Sequence, residues 1–467
     1  MRQALAIGAR VGANAALRNA IAEPIHARVL ATTPTTDLLR SVFVLGVCQI
    51  PGIVQHSERL LAGFNSTSVG RAFAHATLRP TFFKQFCAGE TIEESLPILS
   101  QLKLRGLGGI LDCAVEADVP SADAPMCAVE AGADANTRRL LECIRSSAPS
   151  PPLPDTTAEG PKAPPSYAAV KLTALANTHH LREASSLILD AAGSEHGGGA
   201  LPPAHVSAAA ASARVLELLG PVEARLETLA AEAARVGVHI LVDAEQTYFQ
   251  PAIDAVTYRL MTKHNREGRR TLYATYQAYL RGTEARLAAD LQRSQEEGVH
   301  FGVKLVRGAY MVSERALAAS QGLPSPIHES AADTHACYDA SLAITLNNLA
   351  ANKGTGLLVA THNKESLETA ASTMEQLGIT AEEGNVQFAQ LYGMADHLSG
   401  ALAANKYQVL KYIPYGPIHE VMPYLIRRAQ ENSTVLENTT SYIKILRNEL
   451  MRRWRPQAQP TPLQPVF

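Results

Sequence analysis

At 467 residues, with 46% hydrophobic and only 5% aromatic content, the chain can bury a large core rich in Ala and Leu. A formal net charge of −2 leaves no electrostatic footprint for a nucleic acid. The six cysteines (48, 87, 113, 127, 143 and 337) form no CxxC and no metal-like spacing, so no metal centre is expected and a reducing compartment fits.

Residues 1–30 carry Arg2, Arg10, Arg18 and Arg28 against a single acid, Glu23. An amphipathic, Arg-bearing leader without a compact apolar stretch predicts a mitochondrial transit peptide, with an ordinary Ala-rich helix as the alternative. Residues 31–105 read as a helical arm. Within it the apolar run Val42–Val54 is broken by Cys48, Gln49, Pro51 and Gly52. A spanning helix needs about 20 apolar residues, so this run reads as a packed core helix, with a membrane-surface contact as the alternative.

Eight short apolar runs then alternate with helical patterns: Ile110–Glu116, Ala168–Leu175, His239–Glu245, Leu272–Tyr279, Gly302–Tyr310, Gly356–Asn363, Val386–Tyr392 and Val409–Tyr415. Near-continuous runs such as HILVDAE and GLLVATHN suit parallel strands buried on both faces. The pattern predicts a (β/α)8 TIM-type barrel over residues 106–455, with an N-terminal helical arm and a C-terminal helix over the barrel mouth. An open doubly wound sheet is the alternative. A Pro/Ser tract (Ser146–Ser166) and a Gly/Ala/Pro tract (Gly193–Ser212) bury too little apolar surface to order themselves and predict mobile surface loops. Thr434–Trp454 predicts a final helix, and residues 456–467 a disordered tail.

Polar residues interrupt the strands near their carboxyl ends. They are Lys171, Asp243-Ala244-Glu245, Gln277, Lys304 with Arg307, and Thr361-His362-Asn363. A buried charge is costly unless paired or bound, and several on one rim favour a pocket. Lys171 and Asp243 are close enough in this scheme to pair with each other.

There is no GxGxxG, no Walker GxxxxGK, no GxSxG, and no second His after His419-Glu420 at a zinc spacing. Cationic Lys304, Arg307 and His362 instead suit cofactor phosphates, and Gln277 a heterocycle, so a flavin is one phosphorylated ligand among several. After the last strand, Tyr424, Arg427, Arg428 and Glu431 fall at i, i+3, i+4 and i+7 on one helix face. Two guanidiniums grip a carboxylate, and Tyr412 and Tyr424 wall an apolar ring beside it. A solvated face is the blander alternative, but its place after a strand end favours a small-acid site.

The motifs VDAEQTYFQPAID (242–254), KLVRGAYM (304–311), ATHN (360–363), QLYGM (390–394) and KYIPYGP…EVMPYLIRRAQENS (411–433) resemble the mitochondrial proline dehydrogenase (proline oxidase) family, in the same order. LGGILDCAVE (107–116) fits the family's first strand. The resemblance covers roughly residues 40–450 and is weakest in the two tracts. It implies an FAD-bearing barrel that oxidises L-proline to Δ1-pyrroline-5-carboxylate. Electrons pass to a membrane quinone from the matrix side of the mitochondrial inner membrane, by peripheral contact. Carried over by motif, Arg427 and Arg428 bind the substrate carboxylate. Lys171, Tyr310, Leu391, Tyr412 and Tyr424 shape the rest of the pocket, and Asp243 and Lys304 act beside the reacting centre. Gln277, Val306, Arg307, Gly308, Ala309, Thr361, His362, Asn363 and Glu431 fall on the cofactor side, with Glu431 an ion-pair partner for the arginines. Small residues at Gly308 and Ala309 also suit close approach to a flat ring. Hydroxyproline dehydrogenase is the second reading; that branch is expected to lack the bulky Tyr at 412. A barrel that has lost activity is the third.

Overall fold

The computed structural model describes residues 29–50, 76–114, 125–149, 164–194, 200–434 and 436–454. The expected leader and the C-terminal tail lie outside them, apart from the leader's last two residues. Eight strands close into a barrel in chain order, every neighbouring pair parallel. They are β1 (Leu107–Cys113), β2 (Ser166–Val170), β3 (Val238–Val242), β4 (Leu272–Gln277), β5 (Gly302–Val306), β6 (Gly356–Ala360), β7 (Val386–Leu391) and β8 (Val409–Tyr415). The seam is long: β1 and β8 pair from Leu107↔Val409 to Cys113↔Tyr415.

Alternation along each strand sorts side chains into two cores. Ile110, Tyr167, Ala169, Leu241, Tyr273, Leu358, Ala389, Leu410 and Tyr412 fill the barrel interior. Their sequence neighbours, such as Ala168, Val170, Ile240, Leu357 and Val359, face the helices outside. Burial on both faces explains why β4 and β8 are buried at every position.

The arm contributes α1 (Thr35–Cys48) and α2 (Ile92–Leu104), and the barrel helices follow in order. These are α3 (Met126–Ser146), α4 (Thr178–Ala191), α5 (Ala204–Ala209), α6 (Ala213–Val236), α7 (Gln250–His264) and α8 (Thr283–Glu296). Next come α9 (Met311–Gln321), α10 (Ala331–Ala351), α11 (Lys364–Leu377) and α12 (Asp396–Ala404). The chain ends in α13 (Ile418–Thr434) and α14 (Leu436–Trp454). A third apolar cluster joins Leu38, Val44 and Leu45 of α1 to Val421, Tyr424 and Leu425 of α13 and to Tyr442 and Leu446 of α14. The run Val42–Val54 is thus a packed helix as far as Cys48, and α13 lies over the barrel mouth.

Two expectations need correction. Most strands end earlier than the sequence suggested. Leu172–Leu175 is a 3-10 turn, and β5 stops at Val306 because Gly308 takes a positive φ of 136°. Lys171, Asp243, Arg307 and Thr361–Asn363 therefore sit on the rim just past their strands, whereas Gln277 and Lys304 are still paired within β4 and β5. The second half of Gly193–Ser212 is not a mobile loop. Its helix α5 is pinned by the buried carboxylate of Asp290, which accepts from the Ala204 and His205 amides at 2.9 and 3.0 Å and from the Tyr276 hydroxyl at 2.8 Å. Order here comes from a buried hydrogen-bond acceptor, which an estimate of apolar burial does not register. Residues 150–163 and 195–199 lie outside the described residues.

Candidate active site

A cavity of about 1360 Å³, counted to its opening, fills the carboxyl end of the barrel beneath α13. Every residue given a site role by the family resemblance lines it, whereas Glu245 turns away to accept from the Thr173 amide and hydroxyl. Lys171 enters from the end of β2, Asp243 from the end of β3 and Gln277 from β4. Lys304 and Val306 come from β5, and Arg307, Gly308, Ala309 and Tyr310 from the loop after it. Thr361, His362 and Asn363 follow β6, while Leu391 and Tyr412 close the ring from β7 and β8. From above, α13 adds Tyr424, Arg427, Arg428 and Glu431.

The floor is an ionic chain. Lys304 Nζ lies 2.5 Å from Asp243 Oδ1 and 4.8 Å from the centre of the Tyr412 ring. The Tyr412 hydroxyl donates to Asp243 Oδ2 at 2.7 Å. Lys171 reaches Asp243 at 3.7 Å, so the pairing expected from sequence exists, but a closer partner holds it. That partner is Asp112 of β1, whose oxygens lie 3.1 and 3.3 Å from Lys171 Nζ. The two carboxyls differ. Burial would raise Asp243, but Lys304 and Lys171 together draw it below the ordinary carboxylate range. Burial raises Asp112, with Lys171 opposing and Asp243 adding to the rise.

Asp112 was missed in the sequence although its signal matched that of Lys171 and Asp243. It is an acid two positions after the inward-facing Ile110, inside an apolar strand. His335, Met394, Asn432 and Thr439 also line the cavity, and no strand-end pattern pointed to them.

The roof is cationic. Arg428 is 6% exposed, its Nη1 is 2.5 Å from Glu431 Oε2, and its Nε has no hydrogen-bond partner among the described residues. The Arg427 guanidinium stands over the Tyr310 ring at 5.2 Å and that of Arg428 over Tyr424 at 5.0 Å. A buried guanidinium nitrogen beside a buried, unpartnered Tyr424 hydroxyl suits an incoming carboxylate.

On the β5–β6 side, Arg307 donates to Thr361 Oγ1 at 2.6 Å and to Ser366 Oγ at 2.9 Å, and its Nε meets His335 Nδ1 at 2.8 Å. Gln277 donates to the Glu245 carbonyl at 2.9 Å, which fixes its amide at the cavity wall. Asn363 caps α11 by accepting from the Ser366 amide at 2.8 Å. A Cβ on Gly308 would come within 2.4 Å of the Tyr279 ring, so packing as well as backbone angle reserves this position for glycine.

His362 departs from the sequence reading of a cationic side chain. Burial, reinforced by Lys411, Arg428 and Arg307, pushes its pKa down to about 3. The neutral ring accepts a hydrogen bond from the Leu391 amide at 2.9 Å, tying the end of β6 to that of β7. It offers no charge to a phosphate. Lys304 and Arg307 remain as cations on that side.

The donor set fits a cofactor: Lys304, Arg307 and the Gln277 amide line the cavity together with the Gly308–Ala309 backbone. The small side chains of Ala360 and Ala389 also line the cavity.

Comparison with known proteins agrees with this geometry. The profile of the family "Proline dehydrogenase" matches residues 99–441. Hydroxyproline dehydrogenase of Mus musculus is 36% identical over 433 residues, covering 90% of this chain and 91% of that one. Mitochondrial proline dehydrogenase 1 of Arabidopsis thaliana is 33% identical over 449 residues, covering 92% and 85%. Among solved structures, proline utilization A from Bdellovibrio bacteriovorus, inactivated by N-propargylglycine, superposes with a TM-score of 0.65 at 21% identity. That match covers 98% of this chain but only 45% of the other, and it speaks for the fold alone. From the barrel, its rim and these matches together, the chain belongs to the proline dehydrogenase family and is an oxidoreductase acting on a proline-like substrate.

Proposed function

We propose that the protein oxidises L-proline to Δ1-pyrroline-5-carboxylate with FAD bound in the barrel mouth, and that the electrons leave to a membrane quinone. The observation that carries this reading is the pair Arg427–Arg428, Arg428 buried and Arg427 half-buried, lining one cavity with Tyr310, Leu391, Tyr412 and Tyr424. The guanidiniums bind the substrate carboxylate, and Arg428 shares its charge between that ligand and Glu431. The apolar walls exclude water and fix the ring. Lys304, Arg307, Gln277 and the Gly308–Ala309 backbone would hold the cofactor, with Val306, Thr361, His362 and Asn363 completing its wall. Bound there, FAD supplies the acceptor for the hydride of the ring carbon next to nitrogen. Lys304 and Asp243, locked together, place one positive and one negative charge beside that centre.

4-Hydroxyproline is the second reading, supported by likeness to hydroxyproline dehydrogenases of 36% identity. The plant proline dehydrogenase stands at 33%, so the comparisons lean toward this second reading. Tyr412 separates them better. It is 8% exposed, lines the cavity and has its hydroxyl held by Asp243, which supports the reading that its ring takes the room of a substrate ring hydroxyl. Mitochondrial residence rests on the Arg-rich leader and on the name of the plant relative. No helix among the described residues is long and apolar enough to cross a membrane. Peripheral contact with the inner membrane therefore belongs to the same proposal.

The deciding experiment is anaerobic mixing of the purified holoprotein with L-proline or trans-4-hydroxy-L-proline while its visible absorbance is followed. Proline should bleach the flavin bands much faster. Faster bleaching by hydroxyproline would reverse the substrate assignment, and no bleaching by either would defeat the proposal.

A further inference from the structure

Asp112 is 1% exposed, and it does not line the cavity. It sits behind Lys171, on the inward row of β1 two residues past Ile110, in register with Ala169 of β2 and Pro414 of β8. Both of its oxygens face Lys171 Nζ at hydrogen-bond distance, whereas Asp243 stands further from that ammonium at 3.7 Å. Asp243 is already engaged by Lys304 at 2.5 Å and by the Tyr412 hydroxyl at 2.7 Å. The four charges thus form two pairs, Lys171 with Asp112 and Lys304 with Asp243, joined through Tyr412.

A buried carboxylate in an apolar strand is costly unless paired; Lys171 is its partner, but neutralisation alone would not fix where that ammonium sits. The arrangement has a directional consequence instead. With Asp112 neutralised, the nearest negative charge for Lys171 is Asp243, and attraction in this buried site draws the ammonium there. The Tyr412 hydroxyl and Lys304 would then compete for an overfilled carboxylate, and Lys171 would leave the substrate side of the floor.

We propose that Asp112 is a positioning residue for the reaction: it holds the Lys171 ammonium at the pocket floor and keeps it off Asp243. This inference rests on the proline-oxidising reading above. Its test is a double-mutant cycle on the full-length holoprotein at pH 8, using Asp112→Asn, Lys171→Met and the double variant. The readouts are kcat and KM for proline, flavin content from the visible spectrum, and thermal unfolding. Asp112→Asn should lower kcat at least tenfold and leave KM and flavin content within twofold, because the carboxylate clamp and cofactor side are untouched. In the Lys171→Met background the same change should alter kcat by less than twofold.

Independent, multiplying effects of the two substitutions would overturn the proposal, as would wild-type kcat in Asp112→Asn. A general loss of packing would instead raise KM and shed flavin together with kcat, and that outcome also counts against it. If Asp112→Asn does not fold, Asp112→Glu keeps the charge but pushes the ammonium out by a methylene. It should lower kcat at constant KM, and unchanged turnover in it would refute the positioning role. Inactivity of the unmodified protein toward proline would be a different failure, that of the substrate reading itself.

Discussion

Tyr412 combines two roles that substitution can separate. Its ring fills the recess, and its hydroxyl donates to Asp243 at 2.7 Å and lies 3.5 Å from Lys171 Nζ. Tyr412→Phe removes only the hydrogen bond. Bonds to charged groups contribute about 1.5–3 kcal/mol. Asp243 keeps Lys304 at 2.5 Å and Lys171 at 3.7 Å, so the loss should fall near ~1.5 kcal/mol, about tenfold in kcat/KM. The ratio of kcat/KM for proline over trans-4-hydroxyproline should not move. Tyr412→Ser removes the ring as well and frees Lys304 from the aromatic face 4.8 Å away. A pocket change of this kind discriminates by about 1–3 kcal/mol, so the proline preference should fall roughly tenfold or more. Steady-state rates with a dye acceptor on both substrates, normalised to flavin content, measure both effects. If Phe shifts the ratio as far as Ser does, the hydroxyl and not the ring sets ring selectivity, and the steric argument against hydroxyproline fails.

Replacing Arg428 by Met should leave flavin bound and raise the KM for proline by at least about 30-fold, a loss of about 2 kcal/mol or more from a buried charge-assisted bond. Arg427→Met should act in the same direction, and unchanged KM in both would remove the carboxylate assignment. Because His362 is held neutral down to about pH 3 while its unfolded counterpart titrates near pH 6.5, the unfolded chain binds the extra proton between those values. That contribution to stability is intact above pH 6.5 and declines as pH falls toward 3. The melting temperature of His362→Gln should therefore fall less steeply than that of wild type between pH 6.5 and 4, and parallel curves would contradict the assignment. A reporter carrying residues 1–40 should enter mitochondria; a diffuse cytosolic signal would overturn the location.

The barrel was legible because parallel strands buried on both faces leave apolar runs that differ from the helical spacers. Runs such as GLLVA and VLKYIPY have no other comfortable packing. The rim was legible for a related reason: a Lys or Asp beside an apolar run has to be paired or to meet a ligand. Asp112 carried the same signal and was passed over although it is the penultimate residue of β1, where it meets Lys171 behind the cavity wall. His362 showed its ring but not its charge state. The cations that depress it, Lys411, Arg428 and Arg307, come from three separate elements. Likewise α5 is ordered by Asp290 of α8, a contact between segments that neither composition announces.

The seam between β1 and β8 imposes an order on the folding of this chain. The two strands pair along seven positions, yet almost the entire barrel sequence separates them. Contacts that join distant parts of a chain close late, after their loop entropy has been met. Tyr412 lies on that last strand, opposite Ile110, so Asp243 gains its hydroxyl donor only when the ring shuts. A chain halted before Val409 would carry most of the cavity's residues and none of its closed geometry. Its β1 and β7 would be two bare edges, each a template for strands of another unfinished copy.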